Sequence, residues 1–344
     1  MKKKLLLLPL ATLLSMVSCR PAQAVDHAVV DPSKGTFEIG ILQIASFPAL
    51  DSAKVAFENT LKASSLLAGK TLHFDYQVSN GDATNQTTQA KSLVAKSDLL
   101  FGVATPSAVA LKNARDEAGK KQPLLFTAVT DPISANLMKS LENHDGSVTG
   151  TSDDNPVEDQ IGLIKKVFGN DAMSSKKLGI IYTSSEINSE VQADRAKAEA
   201  IKQGMPSANI TISTCNGSSD LQQVATNLVN KVDILYIPTD NNIADNMPVI
   251  KSALHASNTL CIVGEEGMLS GGHITYSVNY SVLGQKAGEM AADILSGTKL
   301  TENINCFKSL IESEWNKVYS SANIADAGLT VDFSALTGFV DVND

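Results

Sequence analysis

The chain has 344 residues, with 28 Lys plus Arg against 37 Asp plus Glu and a formal charge of −9. An acidic balance with no basic cluster beyond the first few residues argues against nucleic acid and against polybasic membrane binding. The length exceeds what one hydrophobic core usually supports, so two domains or lobes are expected; past the N-terminal segment, no apolar stretch reaches the roughly 18 residues of a membrane-crossing helix.

Residues 1–18, MKKKLLLLPLATLLSMVS, read as a secretory signal peptide. Three lysines precede an apolar run over 5–14 that is too short to span a bilayer as a helix. The tetrapeptide Met16-Val17-Ser18-Cys19 is similar to a bacterial lipobox, which implies that Cys19 is lipidated and begins the mature chain. Met16 stands where that motif usually has Leu, so an ordinary signal peptide cut near Ala22 or Ala24 is the alternative. Loss of residues 1–18 removes three lysines and leaves a formal charge of −12. Residues 19–36, of mixed polarity with two prolines and no periodicity, read as a lipidated tether.

From there strand-like and helix-like segments alternate. A buried strand at 37–45 (FEIGILQIA) is followed by helical apolar spacing over 50–68, with Gly69 as a stop. A strand at 72–79, a polar turn at 80–82 and a helix ending near Lys96 come next. Short apolar strands at 97–104 and 123–129 then flank a helix over 106–119. Past Gly150 the spacing predicts helices at 157–168, 191–203, 221–230 and 247–257, with strands at 177–183, 209–215, 233–239 and 260–264. Strands that are apolar throughout suit a parallel sheet covered on both faces, and repeated βα units give doubly wound sheets. The number of strands, with a natural boundary in the loop at 143–155, points to two similar α/β lobes.

Cys215, Cys261 and Cys306 remain if Cys19 is lipidated. They form no C-x-x-C, and the five histidines are scattered, so neither a metal nor another cofactor is expected. A disulfide between two of the three cysteines is possible in an exported chain, and three buried thiols is the other reading. No nucleophile elbow, P-loop, H-E-x-x-H or G-x-G-x-x-G occurs, so an enzyme is not expected. In doubly wound sheets ligands bind beyond the carboxyl ends of the strands, and here those loops are rich in hydroxyls and amides.

Seven blocks in these loops and their flanks carry a family resemblance: IGILQIASFPALDSA (39–53), ATPSAVA (104–110), FTAVTDPISANLM (126–138), VTGTSD (148–153), YTSSEINSE (182–190), YIPTDNNIADN (236–246) and SVNYSVLGQKAGEMAADILSG (277–297). The chain from about 37 to 327 resembles the substrate-binding lipoproteins of ABC importers, in the branch of bacterial tryptophan and aromatic amino-acid binding proteins. The first block departs from the family's frequent EHPALD, placing Ser46 and Phe47 where an acidic residue and a histidine are common. The resemblance implies a type I periplasmic-binding-protein fold, with two doubly wound Rossmann-like lobes joined by three crossover strands. Crossovers near Gly150, near 272–277 and near Leu300 would give lobe 1 as 37–149 and 278–300, and lobe 2 as 150–277 and 301–344. It also implies a small-molecule ligand, an amino acid, captured by hinge closure for an ABC permease and its ATPase. Membrane attachment would come through the anchor, and the protein would act as a monomer. A nucleoside or sugar receptor on the same fold, or a sensor for a membrane signalling protein, are the rival readings.

Within the cleft loops, Thr105 and Ser107 flank Pro106 at a strand-to-helix junction, where hydroxyls and helix N–H groups suit a carboxylate; a plain N-cap by Thr105 is the alternative. Gln43, Ser46 and Phe47 lie in the first loop, with Phe47 placed to judge a ligand side chain. Thr127 and Thr130 form a second loop, although Asp131-Pro132 beside them also reads as a turn. In the second lobe Ser185, Glu186 and Asn188 offer polar contacts, while Ser189 and Gln192 read equally as a capping box. Asp240, ending an apolar strand, is the candidate partner for an ammonium group, against a reading as a helix cap, with Asn241 adding a hydrogen bond. Glu265 ends the next strand in the same way.

Overall fold

The computed structural model describes residues 30–142, 146–309, 311–312 and 315–344. The expected signal segment, Cys19 and the tether as far as residue 29 lie outside the described residues. The chain runs through β1 (Thr36–Gln43), α1 (Pro48–Ala63), β2 (Thr71–Val78), α2 (Ala83–Lys96), β3 (Leu99–Val103), α3 (Thr105–Glu117), β4 (Leu124–Val129) and β5 (Val148–Ser152). It crosses to α4 (Val157–Phe168), α5 (Ala172–Ser175), β6 (Leu178–Thr183), α6 (Ile187–Lys202), β7 (Ile210–Cys215), α7 (Ser218–Val229), β8 (Ile234–Ile237), α8 (Asn241–Asp245), α9 (Met247–Leu254), β9 (Leu260–Val263) and β10 (Ile274–Val278). It returns through α10 (Tyr280–Leu295) and β11 (Phe307–Lys308), and ends with β12 (Trp315–Tyr319), α11 (Ser321–Asp326) and β13 (Val340–Asp341).

These strands form two sheets, ordered β11-β5-β4-β3-β1-β2 and β13-β12-β10-β9-β8-β6-β7. All pairs are parallel except β10 with β12. Each sheet carries an apolar cluster on both faces. In the first lobe Ile41 and Phe101 face Phe57 of α1, while the neighbouring Leu42 and Leu100 face Leu93 of α2 and Leu111 of α3. Burial on both sides explains why β3 and β4 read as unbroken apolar runs rather than alternating ones.

The return of α10 to the first lobe is fixed by its packing on α1. A Cβ at Gly284 would lie 1.9 Å from the Ala53 carbonyl oxygen, and one at Gly288 would lie 2.9 Å from that of Phe57. Only glycine permits this approach.

Two expected lobe boundaries differ from the observed sheets. The boundary at 149/150 cuts β5, which pairs with β4 and stays in the first sheet through Ser152. Its sequence, VTGTS, is too polar to read as a core strand, yet it is fully buried. Thr149 donates to the Ile304 carbonyl at 2.8 Å and Thr151 to Thr127 Oγ1 at 2.8 Å, so the polar side chains are satisfied internally. The boundary at 300/301 is also early, because β11 pairs with β5 and keeps residues 307–308 in the first sheet. Cys215, Cys261 and Cys306 are free thiols.

Candidate ligand-binding cleft

The carboxyl ends of both sheets open toward one another, and the loops beyond them bound a cleft of about 510 Å³. Ile44, Ala45 and Pro106 line it from the first lobe, and Ser185, Glu186 and Asn241 from the second. One wall is the start of α3. Gly102 lets this helix sit on β3, since a Cβ there would lie 2.6 Å from the Ala108 Cα. Ala104, at φ +76°, turns the chain into the helix and is its N-cap, with no side-chain cap. Thr105 is therefore the first helical residue, and the expected cap by Thr105 is not formed. The first turn is left with N–H groups that have no intrahelical acceptor. Thr105 and Ser107 are both buried beside it, and Ser107 Oγ has no partner.

Where the chain crosses between lobes, two buried acids meet. Asp153 follows β5 and is 1% exposed. It accepts from Thr130 Oγ1 at 3.1 Å and from the Tyr280 hydroxyl at 2.8 Å, linking the first crossing to the second. Glu265 follows β9, is also 1% exposed, and accepts from the Gly267 N–H at 2.6 Å through Oε2; its Oε1 has no partner. Burial pushes the Asp153 carboxyl up to about 6, against the hydrogen bonds from Tyr280 and Thr130. Burial pushes Glu265 up to about 8, and the negative charges of Glu266 and Asp153 add to the effect. The Tyr280 hydroxyl is raised by burial and by both acids, which places all three groups in one electrostatic neighbourhood. Glu265 and Tyr280 border a cavity of about 640 Å³ that reaches Pro48 and Ala49 at the start of α1.

The crossing is held by amides. Asn155 donates to the Asp153 carbonyl at 2.9 Å and to Thr239 Oγ1 at 3.2 Å, and accepts from the Val278 N–H at 3.0 Å. Gln192 on α6 donates to Thr130 Oγ1 across the lobes at 3.4 Å and accepts from Thr239 Oγ1 at 3.0 Å. Outside these, Asp154 pairs with both Arg195 of α6 and Lys308 of β11, and Arg195 also pairs with Glu158 at 2.8 Å.

The structure redistributes the residues singled out by sequence. Asp240 is fully buried and its carboxylate is spent inside the second lobe. It accepts from the Thr183 N–H and hydroxyl at 2.6 and 2.9 Å and from the Ile243 N–H at 2.9 Å, capping α8. Of its two sequence readings, the helix cap is the one formed. Glu186 is buried beside it and accepts from the N–H groups of Asn241 and Asn242, both at 2.9 Å, and from the side chains of Asn241 and Asn188. Burial, then the nearness of Asp240, raises the Glu186 carboxyl above its usual range. The capping box expected at Ser189 and Gln192 does not form, because α6 begins at Ile187 and Ser189 donates instead to the Thr239 carbonyl at 2.9 Å.

Asn188 is buried and its Oδ1 has no partner. Gln43 is likewise buried; its Nε2 donates to the Ala45 carbonyl and to Asp51 Oδ1, both at 2.7 Å, leaving Oε1 free. Ser46 is exposed and donates to Asp51 at 2.8 Å. Phe47 is buried in the apolar core of the first lobe, in the cluster that also holds Ala45, Ala49 and Ala104. Thr127 accepts from Thr151 as part of β4, and Ser185 is exposed at the cleft lip. Sequence reasoning missed Asp153, Asn155, Gln192 and Tyr280. Asp153 carried a signal, since it ends one of the resembling blocks, but with β5 unread its position beyond a strand end could not be seen. Among the described residues no cluster of three or more His, Cys, Asp or Glu is placed to hold a metal ion, and no helix is long and apolar enough to cross a membrane.

A two-lobed α/β protein with a polar cleft at the facing strand ends, crossed three times by the chain, is the architecture of a hinged solute receptor. The chain belongs to the ABC transporter substrate-binding protein family, which matches residues 38–311. Members of that family bind solutes outside the cytoplasm. The chain is 38% identical over 267 residues to a tyrosine-binding protein of Clostridioides difficile strain R20291, covering 77% of this chain and 74% of that one. It superposes on the Streptococcus pneumonia ABC domain in complex with L-Trp with a TM-score of 0.77 at 31% identity, over 88% of this chain and 99% of that one. The ligand-free, open structure of a Clostridium difficile substrate-binding protein with adhesive properties matches at a TM-score of 0.64 and 31% identity, over 89% and 99% of the chains.

Proposed function

We propose that the protein captures an aromatic amino acid outside the cell membrane and delivers it, chemically unchanged, to an ABC permease and its ATPase. The carrying observation is the pair of buried acids at the crossing, Asp153 and Glu265. Their hydrogen-bond partners are all neutral, and one carboxylate oxygen is left free. Buried carboxylates held this way call for a cation, and an α-ammonium group supplies one. In this reading Glu265 Oε1 takes the ammonium, with Asp153 beside it and Gln43 Oε1 as a further fixed acceptor. The free N–H groups of α3, with Thr105 and Ser107, take the carboxylate. The tyrosine-binding relative and the tryptophan complex supply the aromatic class.

Such a ligand touches both lobes, so it stabilises the closed arrangement by its extra affinity there. Residues 1–18 act as the export signal, and a diacylated Cys19 with the tether to residue 36 keeps a monomeric receptor on the periplasmic or outer face of a membrane, near its permease. Titration calorimetry of purified mature protein with amino acids, sugars and nucleosides tests the ligand class. Binding of aromatic L-amino acids, with no response to the other two classes, is the expected result. Tight binding of a sugar or nucleoside instead would defeat the reading.

A further inference from the structure

A closed ring of hydrogen bonds ties the two lobes together at the crossing. Thr130, beyond β4 in the first lobe, donates to Asp153 Oδ1 at 3.1 Å and accepts from Gln192 Nε2 of the second lobe at 3.4 Å. Gln192 Oε1 accepts from Thr239 Oγ1 at 3.0 Å, and Thr239 Oγ1 accepts from Asn155 Nδ2 at 3.2 Å. Asn155 Nδ2 also donates to the Asp153 carbonyl at 2.9 Å, which completes the ring. Thr130, Asp153, Asn155 and Gln192 are all buried, where each bond is strengthened by the low dielectric around it.

The direction of the bond between the lobes follows from its neighbours. Gln192 Nε2 also donates to the Asn188 carbonyl at 3.1 Å, and reversing the amide would set its oxygen against that carbonyl. Thr130 is therefore the acceptor, and its one hydroxyl hydrogen is left for Asp153. The Tyr280 hydroxyl donates to the other oxygen of the same carboxyl at 2.8 Å. Both Asp153 oxygens receive donors, as an ionised carboxylate requires. A proton on Oδ1 would aim a second donor at Thr130 Oγ1, in competition with Gln192. Resting on the amino-acid reading, we propose that this ring is a closure latch set by the ligand's charge. An ammonium group beside Asp153 holds that carboxylate ionised; the carboxylate takes the Thr130 hydrogen, and Thr130 Oγ1 is left to accept from Gln192 across the lobes. A hinge rotation that parts the lobes separates Gln192 from Thr130, so the bond counts only in the closed arrangement. Thr130 and Gln192 are then positioning residues, which raise the affinity of every ammonium-bearing ligand by one common factor.

Calorimetry with L-tyrosine and L-tryptophan on the intact mature protein tests this, each variant being checked for folding by its melting curve. Thr130→Val keeps the side-chain shape and removes the hydroxyl; it should weaken both ligands by the same factor, roughly 3- to 10-fold, the range of one hydrogen bond. Thr130→Ser restores the hydroxyl and should bind within about twofold of wild type. Gln192→Leu removes the other partner and should cost as much as Thr130→Val. Adding Thr130→Val to it should cost less than about twofold more, because the bond between the lobes is already gone. A Thr130→Val protein that binds as wild type does overturns the proposal and leaves the amino-acid reading standing. So do losses that multiply in the double variant, because the two side chains then act separately. Should Thr130→Val not fold, Gln192→Leu alone decides: an equal loss for both ligands supports the latch, and an unchanged affinity overturns it. Failure of both amino acids to bind the wild type removes the amino-acid reading itself, and the proposal with it.

Discussion

Replacing Glu265 with glutamine removes one charge and almost no volume, and it separates binding from folding. In the wild type Oε2 already accepts from the Gly267 N–H, and a glutamine carbonyl can keep that bond. What changes is the free Oε1, which becomes an NH2 facing the ligand's ammonium. Breaking a buried, hydrogen-bonded charge pair by removing one partner costs about 2–5 kcal/mol. At about 1.4 kcal/mol per tenfold, that corresponds to a loss of affinity of roughly 30- to 4,000-fold. Stability moves the other way. Because burial raises Glu265 to about 8, the empty native state holds a proton that the unfolded chain releases near 4.5. Native protein then binds more protons than unfolded protein between those values, so wild-type stability falls as the pH rises through that window. Glutamine does not titrate, so the variant's melting temperature should gain on the wild type between pH 6 and 8 as its affinity collapses. Calorimetry with L-tyrosine or L-tryptophan at pH 7.5, beside melts at several pH values, reads both. A dissociation constant within threefold of wild type, in a variant that melts normally, would refute the placement of the ammonium at Glu265.

Asp240→Ala should behave as a cap deletion, losing about 1–3 kcal/mol of stability from three donors left without their acceptor. Chemical denaturation measures it, and a large loss of affinity in protein that remains folded would return Asp240 to the ligand. Ligand affinity should rise from pH 6 to 8 as Asp153 and then Glu265 ionise, with proton release on binding at neutral pH; calorimetry in buffers of different ionisation enthalpy detects that release, and a flat profile counts against the acid pair. The empty protein should lose melting temperature from pH 6.5 to 8. Below 6.5, His273, which burial depresses to about 4, has the opposite sign and adds stability as the pH rises through 4 to 6.5. Gly284→Ala should destabilise by at least the 1–3 kcal/mol typical of overpacking, since its Cβ meets the Ala53 carbonyl oxygen at 1.9 Å; thermal melts check it, and an unchanged melting temperature would mean that α1 and α10 can separate at no cost.

The parts of this fold that sequence revealed are those where one physical rule acts alone. Strands buried on both faces must be apolar, so β1, β3, β4, β6, β8 and β9 stand out as runs. β5 was invisible for the opposite reason. Its threonines are satisfied by a carbonyl 155 residues away and by a hydroxyl on the neighbouring strand, and neither partner has any local signature. The placement of β11 depends on the same kind of long-range pairing. The start of α3 was legible as a polar junction. Its missing cap was not, because that rests on a positive φ at Ala104, a residue whose type gives no hint of it.

Asp240 and Glu265 show why the site was harder to read than the fold. Both acids follow a buried, parallel strand, β8 and β9, and both come to rest in the interior. Sequence treats them alike and favours Asp240, with Asn241 beside it as a further hydrogen bond. Other residues take up the Asp240 carboxylate. A short side chain next to a helix start reaches the Ile243 N–H, and the adjacent β6 brings Thr183 to the remaining lone pairs. Glu265 is one methylene longer and has a glycine two residues on, whose single N–H it accepts while an oxygen is still to spare. On the proposed reading, a structural acid differs from a binding acid in the supply of donors around it. That supply is set by which strands lie side by side, so a ligand site becomes legible as the set of polar groups that the fold buries and then fails to pair.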